Sequence, residues 1–458
     1  MLHLYDTAKG AIVAVEPRVQ GRLSMYVCGP TVAGDPHIGH GRFTTVWDVI
    51  RRYVTWSGVG VRFVSNVTDI EDKIIARAAW EERSTEAVAA TYERRWWDTM
   101  AALGVSRPDD VPHATAYVDD MVDLIADLME RGHAYLGGDG VYFASETIDG
   151  YGLLARQPLD SLRAGARVET DADAGKRSPV DFVLWKLAKT GEPSWPSPWG
   201  NGRPGWHTEC VVMALDLLGE DFDLHGGGSD LAFPHHENER AQAIGVGRRF
   251  ARHWVHSAMV VADGGEKMSK SLGNTMSLPD LVEAWDPRAF RLLVLQSHYR
   301  NPMTVSDATL TNATRALEGL DGFAREFADA RGAPMDPTAK AAFAAAMDSD
   351  LNTQRAVAAL FDLTRAARSA SGSTADSLAA TVFELFEQAL GLPLRSAVSA
   401  VPASAGARAA ERDQARKDRD WSTADRIRDE LAGEGYIVED GPKGTTLRRR
   451  SSDGPETS

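Results

Sequence analysis

The sequence predicts an α/β fold: a doubly wound parallel sheet carrying an insertion, then a helical domain and a small mixed α/β carboxyl-terminal module. Three observations predict it. Residues 22–28, RLSMYVC, read as a strand, followed by a helical stripe and a second strand in VGVRFVSNVTD. From about residue 310 the chain turns alanine- and leucine-rich at helical spacing, as in AAFAAAMDSDLNTQRAVAALFDLTRAAR. Near the end a helix-like segment precedes YIVED, a GPKG turn and TTLRRR.

Each element has a local reason. From Gly39 the apolar residues Phe43, Val46, Trp47, Ile50 and Val54 fall at i, i+3, i+4, i+7 and i+11, one helical face, and Gly58 is the stop. Strand, helix, strand in this order is a parallel crossover unit, whose ligands sit beyond the carboxyl ends of the strands. Residues 110–200 read as an insertion, opening with helix-like DDMVDLIADLMERG and continuing through a polar stretch. FDLHGGGSDLAFPHHENE, residues 222–239, returns to the sheet domain, and AMVVA reads as a strand before a glycine- and lysine-rich loop. AVSAVPASAGA, residues 397–407, reads as a linker. In the last module Ser422 with Asp425 is the expected helix cap, with Ala424, Ile427 and Leu431 facing inward and an end near Gly433. The tail SSDGPETS is polar and is expected to be disordered.

Composition excludes several classes. At 458 residues the chain is long enough for two to four domains. A net charge of -15 argues against a uniformly basic, nonspecific nucleic-acid binder, though not against a structured RNA met by local basic patches. The amino terminus shows no secretory pattern, and no window reaches the length of an apolar membrane span. Two cysteines make no disulfide framework, and a reducing cytoplasm is expected.

Chemistry concentrates in a few strings. HIGH, His37 to His40, falls where a helix N-terminus presents free N–H groups to an anion. KMSKS, Lys267 to Ser271, sits in a glycine-led loop about 230 residues later. Either string alone is weak: two histidines at i, i+3 are commonly structural, and a lysine-serine loop is commonly just solvated. HGGGSD, His225 to Asp230, lies at an expected strand end, where a glycine turn after a buried strand is the bland alternative. Cys28 ends the first strand and Cys210 lies in GWHTEC; their spacing matches no zinc-finger pattern, and a lone cysteine is commonly a small core hydrophobe. In PHHENE, His235 and Glu239 stand at i, i+4 on one helical face, with His236 and Glu239 at i, i+3 the other pairing.

HIGH and KMSKS in this order, flanking a sheet domain, resemble the class I aminoacyl-tRNA synthetases. CGPTV before HIGH, NVTDIEDKI, GWHTEC, FDLHGGGSDLAFPHHENE and KMSKSLGN narrow the resemblance to the cysteinyl-tRNA synthetase family. SHYR (297–300), DSDLNT (348–353), ADRIRDEL and EDGPKGT extend it over nearly the whole chain. The departures are small: NVTD stands where family members often have NITD, and Gly34-Asp35 replace larger residues before HIGH.

The resemblance implies a Rossmann-like catalytic domain over residues 1–310, with the insertion at about 110–200 and the KMSKS loop region at 263–275. A helical domain at 311–396, the linker, an anticodon-binding-like module at 408–450 and the tail at 451–458 follow. It implies ATP-dependent activation of L-cysteine to an adenylate, then transfer to tRNA(Cys). Negative charge builds on the phosphates, so donors and cations placed there lower the barrier. His37, His40, Lys267 and Lys270 are the implied catalytic residues. Gly39, His40, Gly227, Asp230 and Lys270 are the implied ATP contacts, with Asp230 accepting from ribose hydroxyls. Thr68 and Trp206 would line the cysteine pocket. Cys28, Cys210, His235 and Glu239 would hold one Zn2+ per chain, with Mg2+ accompanying ATP. Zinc answers a selectivity problem: cysteine and serine differ mainly by sulfur versus oxygen, and an apolar pocket rejects such a near-isostere poorly. A soft metal favours the thiolate. Arg412, Arg416, Lys417, Arg426 and Arg448 are candidate RNA contacts, and a monomer is expected. Competing readings are a mycothiol-pathway cysteine ligase, which joins the adenylate to an amino-sugar and lacks the anticodon module, a nucleotidylyltransferase, and a noncatalytic tRNA-binding paralogue.

Overall fold

The computed structural model describes residues 1–157, 175–261, 277–396, 403–434, 436–441 and 444–449. A short antiparallel hairpin, β1 (His3–Asp6) and β2 (Ala11–Ala14), precedes the first strand of the main sheet, β3 (Arg22–Val27). Helix α1 (Ile38–Trp56) follows, then β4 (Gly60–Val64), which pairs with β3 in parallel. The stripe read from the sequence is real: Val46, Trp47, Ile50 and Val54 are buried, and Gly58 takes a φ of 92° just beyond the helix. Strand β4 ends at Val64 rather than near Thr68 because the chain changes partners there. Val67 N–H donates to Pro112 O at 2.8 Å and Thr68 N–H to Pro30 O at 3.0 Å.

Helices α2 (Asp72–Glu81) and α3 (Thr85–Ala102) pack together over a small cluster around Val67, Ile74 and Val88. Helix α4 (Val118–Glu130) then leads into an antiparallel sheet of β5 (Ala134–Leu136), β6 (Gly140–Phe143), β7 (Phe182–Leu187) and β8 (Gly202–Pro204). This sheet is the insertion, and it has its own core around Phe143, Phe182 and Trp185.

Helix α5 (Trp206–Leu218) returns the chain to the main sheet at β9 (Leu224–Gly228). A one-turn segment, Ala232–His236, runs into α6 (Glu237–Gly245), and β10 (His253–Ser257) completes the sheet. Its order is β10-β9-β3-β4, every pair parallel. The sheet is thus doubly wound, with α1 leaving one side of β3 in sequence and β9 arriving on the other. HWVHS, with two histidines, gave no strand signal in the sequence; all five residues are buried. Of the expected strand AMVVA, Ala258 and Met259 lie outside β11 (Val260–Val261), which pairs in parallel with β12 (Met303–Thr304), and Ala262 lies outside the described residues.

Between them α7 (Leu278–Ala284) and α8 (Pro287–Leu295) pack on α1. The helical region comprises α9 (Asp307–Glu326), α10 (Pro337–Asp348), α11 (Thr353–Ser369) and α12 (Gly372–Glu384). It shares one continuous core with α1, through Trp47, Ile50, Phe290, Leu320 and Phe383. Buried charge adds to this: Asp48 of α1 pairs with Arg291 of α8, each 1% exposed, and Arg291 also donates to Leu390 O, beyond α12, at 2.8 Å.

The last module pairs α13 (Ala403–Lys417) and α14 (Trp421–Gly433) against a hairpin of β13 (Tyr436–Gly441) and β14 (Gly444–Arg449). Two expectations are corrected here. Residues 403–407 of the expected linker are helical, with Ala405 buried against Leu431 and Tyr436, while 397–402 lie outside the described residues. The cap of α14 is Asp420, whose carboxylate accepts from Thr423 N–H at 3.1 Å, not Ser422. Ala424, Ile427 and Leu431 do face inward. The tail 451–458 lies outside the described residues. Among the described residues no helix is long and apolar enough to cross a membrane.

Candidate active site

The carboxyl ends of the parallel strands gather several of the strings singled out in the sequence, KMSKS lying outside the described residues. Cys28 follows β3 directly and donates its backbone N–H to Gly226 O of β9 at 3.2 Å. Cys210 projects from the first turns of α5, and His235 and Glu239 come from the turn entering α6. All four side chains are buried, and their ligating atoms lie within 4.8 Å of one another. Cys28 Sγ stands 3.3 Å from Glu239 Oε1, Cys210 Sγ 3.7 Å from His235 Nε2, and His235 Nε2 2.9 Å from Glu239 Oε1.

Two thiols, an imidazole and a carboxylate in a buried pocket make a donor set chemically suited to zinc. Charge balance supports the fit. Burial, and then the neighbouring Cys210, push the Cys28 thiol well above its ordinary range. Burial opposes ionisation of Cys210 too, but hydrogen bonds from Cys28 and His235 bring it down to about 6. Burial and mutual repulsion thus oppose ionising both thiols at once, since two buried like charges disfavour each other. A dication removes that conflict. Burial pushes the Glu239 carboxyl up, yet His225 and His235 outweigh it and hold it well below the carboxylate range.

Around this cluster stand groups that orient it. Trp206 stacks on His235, ring centroids 4.0 Å apart and 19° from parallel. His207 Nδ1 lies 2.8 Å from His235 Nδ1, and His225 Nε2 lies 2.6 Å from Glu239 Oε2. Asn66 Oδ1 accepts from Gly29 N–H at 2.8 Å and stands 3.7 Å from Cys210 Sγ, while its amide donates to Thr68 Oγ1 at 3.3 Å. Thr68 in turn donates to Glu209 Oε2 at 2.6 Å. Asn66, His207, Glu209 and His225 were not singled out by sequence reasoning. They sit inside quoted strings, NVTD, WHTEC and HGGGSD, but only the fold shows which member of each string faces the cluster. The other pairing, His236 with Glu239, belongs to a second possible metal set with Cys28 and His225. His236 Nδ1, however, is engaged by His256 Nε2 at 2.8 Å.

Two of the nucleotide strings, HIGH and HGGGSD, lie on the same sheet edge. His37 and His40 flank the start of α1 with rings stacked at 3.7 Å, and His37 N–H donates to His40 Nδ1 at 3.2 Å. A Cβ at Gly39 would stand 3.0 Å from the His37 ring, and one at Gly227 only 2.4 Å from His236 Cε1. A side chain at Gly227 would collide with the His236 ring, and one at Gly39 would fit only if the His37 ring gave way by a few tenths of an ångström. Asp230 is exposed just beyond β9, able to accept from a ligand hydroxyl. Lys267 and Lys270 lie outside the described residues. Of the candidate RNA contacts, Arg412 is only 4% exposed and donates to Thr445 Oγ1 at 2.5 Å, so it serves the module's own packing. Arg426 pairs with Glu430 at 2.8 Å.

A parallel sheet with the HIGH and HGGGSD strings at its carboxyl edge, followed in the chain by helical regions, is the architecture of a class I aminoacyl-tRNA synthetase. The fold is similar to Mycobacterium tuberculosis methionyl-tRNA synthetase in complex with methionyl-adenylate, TM-score 0.59 at 17% identity, covering 88% of this chain and 96% of that one. It is also similar to a LeuRS–tRNA–LeuAMS ternary complex from Agrobacterium radiobacter K84, TM-score 0.59 at 13% identity, covering 82% and 84%. Family models match residues 14–315 as the class I (C) tRNA synthetase catalytic domain, 342–395 as a DALR domain, and 401–448 as a cysteinyl-tRNA ligase anticodon binding domain. Curated relatives include cysteine–tRNA ligase of Alkalilimnicola ehrlichii, 45% identical over 98% of this chain and 100% of the relative. That of Streptomyces coelicolor is 42% identical over 97% and 74%. The chain belongs to the cysteine–tRNA ligase family. Membership carries the activity of an aminoacyl-tRNA ligase, and none of the competing readings gains support.

Proposed function

We propose that this chain activates L-cysteine with ATP and esterifies tRNA(Cys), selecting its amino acid by sulfur at a zinc ion held by Cys28, Cys210, His235 and Glu239. The single observation that carries the reading is the convergence of those four buried donors within 4.8 Å. Bound zinc supplies preference for a thiolate over an alcohol and lowers the thiol's pKa. Trp206, stacked on His235, forms a wall of the cysteine pocket, and Thr68, held by its bond to Glu209, lines it as well. His37 and His40 donate to the phosphates at the head of α1, where the backbone N–H groups add their dipole. Gly39 and Gly227 let the nucleotide approach the backbone, and Asp230 accepts from the ribose. Lys267 and Lys270 neutralise charge on the departing pyrophosphate, with Mg2+ accompanying ATP. The domain roles follow: activation in 1–310, support of the tRNA by the helical region, and anticodon contact by the last module. The protein acts as a monomer in the cytoplasm.

A substrate panel tests this. Pyrophosphate exchange should run with cysteine and not with serine, and the adenylate should be passed to tRNA(Cys) and not to an amino-sugar. Exchange of equal rate with serine would end the sulfur-selection account.

A further inference from the structure

Arg42 follows the HIGH string by two residues and is 1% exposed in the first turns of α1. Its Nη1 donates to Met259 O at 2.8 Å, and its Nη2 reaches His298 O at 3.2 Å, Tyr299 O at 3.4 Å, and Asn301 O. Burial alone pulls its guanidinium down to about 10, so it stays a cation near neutrality. Among the described residues no carboxylate offsets that cost. A buried cation satisfied only by carbonyls is expensive, and a hydrophobic residue would pack there more cheaply.

What the cation holds is specific. Met259 immediately precedes β11, and His298–Asn301 form the turn before β12, so Arg42 sits at the root of the β11–β12 pair. That turn is the SHYR string, and it is gripped from behind by the DSDLNT string. Tyr299 Oη donates to Asp350 Oδ1 at 2.6 Å, and Arg300 Nε to Asp350 Oδ2 at 2.7 Å. Beyond Val261 the chain passes through 262–276, which contains Lys267 and Lys270, and returns at Ser277. There the backbone bridges His37, and Leu278 N–H donates to Pro36 O at 3.0 Å. The described residues on either side of that segment are therefore tied to the start of α1, Met259 through Arg42 and Ser277–Leu278 through His37 and Pro36.

We infer that Arg42 is a positioning residue for amino-acid activation, fixing where the lysine-bearing segment leaves the sheet relative to the HIGH histidines. The inference rests on the role proposed above for the lysines. A planar fork suits the task, because its donors diverge in one plane and reach several carbonyls at once. The ammonium of lysine is a point donor and spans fewer of them.

The test uses full-length Arg42→Ala, Arg42→Met and Arg42→Lys, with Lys270→Ala alongside, in cysteine-dependent pyrophosphate exchange. Melting temperature and zinc content are measured on each. Displacement of reacting groups predicts a fall in kcat of roughly 10- to 100-fold for Arg42→Ala and Arg42→Met, with zinc content and the KM for cysteine unchanged. Arg42→Lys should lie between these and the parent. Millimolar guanidinium ion should restore part of the kcat of Arg42→Ala and none of that of Lys270→Ala. An unchanged kcat in any folded Arg42 variant while Lys270→Ala is crippled overturns the inference alone. So does a loss that merely tracks the unfolded fraction and ignores guanidinium. Full activity in Lys270→Ala overturns the reading of the lysines, and the inference with it.

Discussion

The Sγ atoms of Cys28 and Cys210 lie 3.5 Å apart, although 182 residues separate them along the chain. That distance is far beyond a disulfide bond and suits two thiolates sharing an ion. Parallel pairing of β3 with β9 brings one into place, and α5, the helix feeding β9, brings the other.

Metal analysis of the purified protein should accordingly give one zinc per chain. Even changing a group that only supports a ligand typically costs ~10–100-fold in metal affinity. Cys210→Ser removes a ligand outright and should lose both the zinc and cysteine-dependent exchange. Chelation of the parent should do the same, with exchange recovered on adding zinc back. A chelated, zinc-free preparation that exchanges at the parent rate would contradict the assignment.

Asp48 predicts an acid-sensitive clasp between α1 and α8. It accepts from Arg52 Nε at 2.7 Å and from Ser106 N–H at 2.9 Å, and it pairs with buried Arg291. Burial raises its pKa, but Arg291 and Arg52 outweigh that and hold it below the ordinary value. A carboxyl depressed in the folded state contributes stability that is present above its unfolded pKa, ~3.9. That contribution is lost as pH falls through the lower, folded value. Asp48→Asn should destabilise by about 3–5 kcal/mol near neutrality, because Arg291 is left buried without its partner. The gap between mutant and parent, followed by denaturant unfolding, should narrow only in strong acid. A gap that stays constant from neutrality down through that range would show that the charge of Asp48 is not what stabilises.

How much of this was legible in the sequence depended on locality. The stripe of Val46, Trp47, Ile50 and Val54 announced α1 because a helix repeats every few residues, and Leu431 and Ile427 announced α14 for the same reason. HWVHS did not announce β10, because its histidines are buried by contacts that no pattern encodes, such as His253 with Asp6 at 3.1 Å. The four candidate metal donors were reached through family strings rather than spacing, since Cys28 and Cys210 meet only by tertiary pairing. Their supporting groups, Asn66 and His225, were invisible for that reason. Arg412 misled because a basic residue on a helix reads as solvated until the hairpin covering it is known.

The final module gives a separable prediction. It has its own core of Ala405, Ala409, Ile427, Leu431, Tyr436 and Leu447, distinct from the cores under the cleft. None of the described groups placed at the carboxyl-edge site belongs to the last module, so activation is expected to proceed without it. Removing residues 403–458 should therefore leave cysteine-dependent pyrophosphate exchange within about twofold, an effect small beside tRNA binding, where lost contacts of ~1–3 kcal/mol each accumulate. Charging of tRNA(Cys) should fall by at least on the order of 100-fold in kcat/KM, chiefly through KM. Truncated protein that loses exchange and charging equally would mean that the module stabilises the catalytic domain rather than reading the anticodon. Zinc content and melting temperature of the truncated chain would then show the damage directly.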